Sequence, residues 1–149
     1  LSKTKITFDL ILIKQTIHLL KKNQILKLLS ICKKRLSSNG KIIILSLEPN
    51  KNEIPTFSLM ENKLKKSLNR DKSIFDLIIV TYPKVIIKNF TFKVNLLKKT
   101  YLKMIKKRYI SILLNLSNKQ ISVGLSEINF KYKNKLSFND RLICLILTK

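Results

Sequence analysis

Apolar residues follow two kinds of pattern along this chain. Phe8-Asp9-Leu10-Ile11-Leu12-Ile13 and Lys41-Ile42-Ile43-Ile44-Leu45-Ser46-Leu47 are short, nearly continuous apolar runs. Runs of that length are too short for lone helices and suit strands buried on both faces. Between them, Ile25, Leu28, Leu29, Cys32 and Leu36 recur at helical spacing, with Lys22, Lys27, Lys33 and Lys34 on the other face. Ser37-Ser38-Asn39-Gly40 reads as the turn that ends this helix, with Gly40 where a C-terminal cap needs a left-handed residue. Two buried strands joined by a crossover helix imply a parallel pair and an α/β fold.

The rest of the chain extends this reading. Leu1 to Ile6 is a polar, basic lead-in, and Glu48 to Pro55, with two prolines and two asparagines, is a loop. Phe57, Met60, Leu64 and Leu68 form a helical stripe whose plain meaning is core packing. Phe75 to Val80 and Val85 to Ile87 are apolar and fit either period, whereas Phe90 to Leu96 alternates as a half-exposed strand does. Tyr101, Met104, Ile105, Arg108, Ile112 and Leu116 mark a helix of about four to five turns. Ser117-Asn118-Lys119-Gln120 has the form of a capping box, and Ile121, Leu125, Ile128 and Tyr132 are the stripe of the helix it opens. Ser137 to Asp140 reads as a turn and Leu142 to Leu147 as a final buried strand. There is no internal repeat, and residues 1–149 read as a single domain.

Composition narrows the class. With 149 residues, 45% of them hydrophobic, the chain can bury a sizeable core. Two glycines and three prolines argue against long flexible linkers. The net charge of +23 points either to a phosphate-rich partner or to compositional drift toward Lys, Asn and Ile. The Arg residues are only Arg35, Arg70, Arg108 and Arg141, and the lysines are spread rather than clustered, which favours drift. One histidine and no Cys-x-x-Cys spacing exclude a zinc site. Cys32 and Cys144 lie in apolar stretches and read as free thiols of a reducing compartment. No apolar run approaches the roughly 20 residues that span a bilayer, and the N-terminus lacks a signal-peptide core. The expected location is cytoplasmic, with no membrane association.

In an open parallel sheet, residues just beyond a strand's carboxyl end line the ligand crevice. Lys14, Gln15 and His18 follow the first strand and fall there. His18 is a base, a ligand contact or a structural histidine, the last being the commonest role for a lone His among apolar residues.

Phe8-Asp9-Leu10-Ile11-Leu12, then Ile17-His18, then Leu36-Ser37-Ser38-Asn39-Gly40-Lys41-Ile42-Ile43-Ile44, resembles the second half of a class I S-adenosylmethionine-dependent methyltransferase. That family shows an F-D-hydrophobic strand, an "I-H" shortly after it, and "L-x-x-G-G-hydrophobic" before the next strand. Asn39-Gly40 stands where the Gly pair is common. The resemblance implies an α/β fold, an incomplete Rossmann-like sheet whose last strand is antiparallel. It also implies a helical substrate-cover insertion at approximately 97–135, carrying Arg108, Ser111 and Leu116. The family's Gly-rich loop and the acidic residue ending the next strand are absent, since only Gly40 and Gly124 exist. The chain is therefore expected to be the C-terminal part of such an enzyme, a truncated gene or a fragment, with three strands preceding Leu1.

The resemblance further implies site roles. Lys14 and Gln15 would line the cofactor end, and His18 would accept a substrate proton. Phe57, Tyr101 and Arg108, with Pro55, would come from the cover. Arg108 would bind a carboxylate or phosphate, its other reading being an ordinary surface Arg. The expected cofactor is S-adenosylmethionine, bound by the complete enzyme and not usefully by this chain alone, and the substrate is a small-molecule methyl acceptor. An incomplete sheet would leave the first strand as an open edge, inviting self-association or a partner that supplies the N-terminal half. The expected neighbours run from Phe8–Ile13 to Lys41–Leu47, then Leu142–Leu147, then Phe90–Leu96. The competing reading is a basic nucleic-acid-binding module or a remnant of an RNA-modifying enzyme, against which the aromatics follow core periodicity.

Overall fold

The computed structural model describes residues 6–149. Among the described residues four strands form one sheet: β1 (Phe8–Lys14), β2 (Leu36–Leu47), β3 (Ile86–Leu97) and β4 (Lys135–Thr148). Their order is β1-β2-β4-β3. The helices are α1 (Lys22–Lys34), α2 (Ser58–Thr81), α3 (Lys98–Lys106) and α4 (Asn118–Lys131), with single 3-10 turns at Ile17–Leu19 and Ser111–Leu113. β1 and β2 are parallel, Leu10 facing Lys41 and Lys14 facing Leu45. β4 runs antiparallel to β2, from Lys41 opposite Thr148 to Leu47 opposite Leu142. This is the strand order, and for β1, β2 and β4 the sense, that the sequence predicts.

The chain divides into two compact units. The first runs up to Pro49 and adds Arg70–Phe90 and Leu142–Lys149; the second comprises Asn50–Asn69 and Thr91–Arg141. In the first, one face of β1, β2 and β4 packs on the helices: Ile42, Ile44, Leu145 and Leu147 meet Ile25 and Leu29 of α1 and Ile74, Phe75 and Ile78 of α2. In the second, Phe57 and Met60 pack with Tyr101, Ile105, Leu113, Leu116, Ile121, Ile128 and Leu136. Ser117 Oγ accepts from the Gln120 N–H at 3.2 Å and Gln120 Oε1 accepts from the Ser117 N–H at 2.9 Å, so α4 opens on the predicted capping box.

Four local expectations differ from what forms. Gly40 does not cap α1; Arg35 does, and β2 already begins at Leu36. No glycine has positive φ. Gly40 is instead a close-approach residue, since a Cβ there would stand 2.7 Å from the Phe8 carbonyl oxygen. The register jumps there, Phe8 facing Leu36 but Leu10 facing Lys41, so the four residues between Leu36 and Lys41 bulge out of step with β1. Second, β1 is not buried on both faces: Phe8, Leu10 and Leu12 are 47%, 55% and 57% exposed. It ends the sheet, and only its Ile11–Ile13 face meets the core. Third, the helix expected over 101–116 stops at Lys106, because Arg108 adopts φ 53°. Fourth, Ser137 to Asp140 is strand, not turn, as Glu53 accepts hydrogen bonds from the Asn139 N–H and from Arg141. The run Phe75 to Val80, which by its pattern fits either period, is helix, the second half of α2. The lead-in expected over 1–6 lies outside the described residues except for exposed Ile6. No helix among the described residues is long and apolar enough to cross a membrane.

Candidate functional site

The carboxyl end of β1 is built by one left-handed residue. Gln15 has φ 50°, and its N–H donates to the Leu45 carbonyl at 2.7 Å, extending the ladder one step past Lys14. The chain then turns into the 3-10 segment, where Ile17, 1% exposed, plugs into the core. That anchor leaves Lys14 and Gln15 exposed and His18 half-buried. The structure thus gathers Lys14, Gln15 and His18 at one strand end, as the sequence implies.

Sequence reasoning missed a buried acid within electrostatic reach of His18. Asp71 on α2 is only 6% exposed. Burial pushes its carboxyl above the ordinary range, while the nearby charges of His18 and Arg70 pull it back. Arg70 Nε stands 3.5 Å from Asp71 Oδ1. A signal existed: Asp71 continues the stripe of Leu64 and Leu68 toward Phe75 and Ile78, an acid in an apolar helical register. Ser46, one residue from the carboxyl end of β2, has a buried hydroxyl without a hydrogen-bond partner.

The other sequence candidates lie in the second unit. Phe57 and Tyr101 are each 1% exposed and pack in its core. The Phe57 ring sits where Gly124 offers no side chain; a Cβ there would fall 2.7 Å from the ring. The Tyr101 hydroxyl donates to the Pro55 carbonyl at 2.5 Å and lies 3.1 Å from the Tyr109 hydroxyl. Burial raises both phenols above their ordinary range, so they act as hydrogen-bonding groups. Asp140 lies close enough to Tyr109 to push its hydroxyl further up, and Asp140 Oδ1 is buried without a hydrogen-bond partner. Arg108 is occupied internally: its guanidinium donates to the Leu116 carbonyl at 2.9 Å and to Asn118 Oδ1 at 3.0 Å. That arrangement staples the turn after α3 to the start of α4.

Neither glycine can form the cradle that an adenosyl cofactor needs. Gly40 is closed against β1 and Gly124 against Phe57, and the positive-φ residue after β1 is Gln15. The residues present do not fit the whole of S-adenosylmethionine. Among the described residues no cluster of three or more His, Cys, Asp or Glu could hold a metal ion.

No family model and no curated protein matches the chain. Among solved structures it is similar to the plantazolicin methyltransferase BpumL in complex with SAH and a monoazolic desmethylPZN analog. It is equally similar to the same enzyme with SAH and a pentazolic analog. Identity is 13% and the TM-score 0.40 in each case, over 100% of this chain. The chain spans 55% of the length of those structures.

Proposed function

We propose that this chain forms the C-terminal part of a class I S-adenosylmethionine-dependent methyltransferase that acts on a small molecule, inactive by itself. The observation that carries the reading is the sheet order β1-β2-β4-β3, with β1 parallel to β2 and β4 inserted antiparallel beside it. The family resemblance of the sequence implies that arrangement. Lys14, Gln15 and His18 then border the cofactor crevice at the carboxyl ends of the parallel strands. His18 is the proton acceptor, with Asp71 of α2 within electrostatic reach. Phe57 and Tyr101 stiffen the substrate cover by packing, and Arg108 shapes it through its bonds to Leu116 and Asn118.

The test is titration with SAH to millimolar concentration, followed by amide NMR. Weak shifts confined to Lys14–His18 and to Leu47–Glu48 support the reading. No shift, shifts elsewhere, or a dissociation constant near a micromolar value would refute it. The alternative, a basic nucleic-acid-binding module, draws on the lysines of α3, of which Lys99, Lys103 and Lys106 are exposed.

A further inference from the structure

Within the second unit, the start of α3 meets the end of α4. Lys98 locks the two together. Its N–H donates to the Asn134 carbonyl at 2.8 Å, and its ammonium donates to the carbonyls of Asn129 at 2.7 Å and Tyr132 at 2.9 Å. A cavity of about 370 Å³ opens between these segments, lined by Leu97, Leu102, Asn129 and Asn134 with Lys98 and Lys99. Leu97 is 57% exposed, and Phe130, next to Asn129, is 96% exposed. An aliphatic cavity and a phenyl ring left in water at one end of a helix pair form a surface that binding would cover.

The charge around this apolar spot is of one sign. Residues 97–103 and 129–135 hold six lysines and no Asp or Glu. Lys98 is spent on the α4 carbonyls, and Lys131 stands 4.0 Å from Glu61. Lys99, Lys103, Lys133 and Lys135 are exposed. Apolar side chains set among ammonium groups match an acyl layer capped by anionic headgroups. Single-stranded nucleic acid offers the same charge, but its bases need ring faces to stack on, and Leu97 and Leu102 provide none. Attachment to a bilayer surface needs no spanning helix.

We infer that this end of the second unit binds the surface of an anionic phospholipid bilayer. Phe130 and Leu97 enter below the headgroups, and Lys99 and Lys133 meet the lipid phosphates.

The chain has no tryptophan, so Phe130→Trp places a single reporter at the site. Vesicles of phosphatidylcholine with about 30% phosphatidylglycerol, at about 0.1 M salt, should shift its emission to the blue, and brominated acyl chains should quench it. Vesicles of phosphatidylcholine alone should do neither. In cosedimentation with the anionic vesicles, Phe130→Ser should weaken binding at least about tenfold, whereas Val80→Ser, at a side chain 79% exposed on α2, should change it less than about twofold. Lys99→Gln with Lys133→Gln should also weaken it at least about tenfold, and Lys22→Gln with Lys27→Gln, an exposed pair on α1, less than about twofold. All these positions are exposed, so none is needed for the fold. Unshifted emission, equal binding to uncharged vesicles, or equal losses from the site and control variants would overturn the inference, the last by showing attraction of net charge alone. Quenching by single-stranded RNA, at concentrations where vesicles leave the emission unchanged, would overturn it too and assign the surface to nucleic acid.

Discussion

Gly40→Ala tests how β1 is seated on β2. A Cβ at residue 40 would stand 2.7 Å from the Phe8 carbonyl oxygen, 3.0 Å from Leu36 Cβ and 3.0 Å from the Ser37 nitrogen. None of these can swing aside. The Phe8 N–H is held by the Arg35 carbonyl at 2.8 Å, and Leu36 is 0% exposed. Overpacking a site of this kind costs about 1–3 kcal/mol. Against this, Gly to Ala reduces unfolded-chain entropy, worth about 0.4–1 kcal/mol in favour of the variant. The balance is a loss of about 1–2 kcal/mol. For a chain of this length that lowers the melting temperature by about 4 °C. Urea unfolding followed by far-ultraviolet circular dichroism measures it, with an unchanged slope confirming that the states compared are the same. A variant as stable as the parent, or more so, would show that β1 gives way freely at Phe8 and that Gly40 is not there for close approach.

Three other outcomes are expected. Ser117→Ala removes the acceptor for the Gln120 N–H at the start of α4 and should cost about 1 kcal/mol in the same urea assay. Asp71 binds its proton more tightly in the folded chain than in the unfolded one, so the folded state holds more protons just above the ordinary value of 3.8. Its contribution to stability therefore falls as pH rises through that window, and Asp71→Asn should flatten the decline in unfolding midpoints measured there. A steeper decline in the variant would reverse the sign of the argument. Single-stranded RNA should bind more weakly than about 1 µM at about 0.15 M salt; tighter binding with a steep salt slope in fluorescence anisotropy would establish the nucleic-acid reading instead.

Much of the sheet was legible because burial imposes a pattern that composition alone cannot mimic. The apolar runs at Phe8–Ile13, Lys41–Leu47 and Leu142–Leu147 all form strands, and β2 stands between the other two. The start of α4 was legible because a capping box is local: both its hydrogen bonds close within four residues. The carboxyl end of β1, with Lys14, Gln15 and His18, followed from where the apolar run stops.

What the tertiary structure decided involves residues distant in sequence. Phe138, Asn139 and Asp140 look like part of a turn until Glu53, more than eighty positions earlier, binds Asn139 and Arg141 and draws the stretch into β4. Gly40 looks like a cap until Phe8 lies against it. Tyr101 looks like a ligand contact until Pro55 and Tyr109 take its hydroxyl. Asp71 acquires its meaning only when α2 carries it to His18. Local propensity specifies which elements a segment can form, but a polar group's role depends on which partner reaches it, and folding brings those partners together.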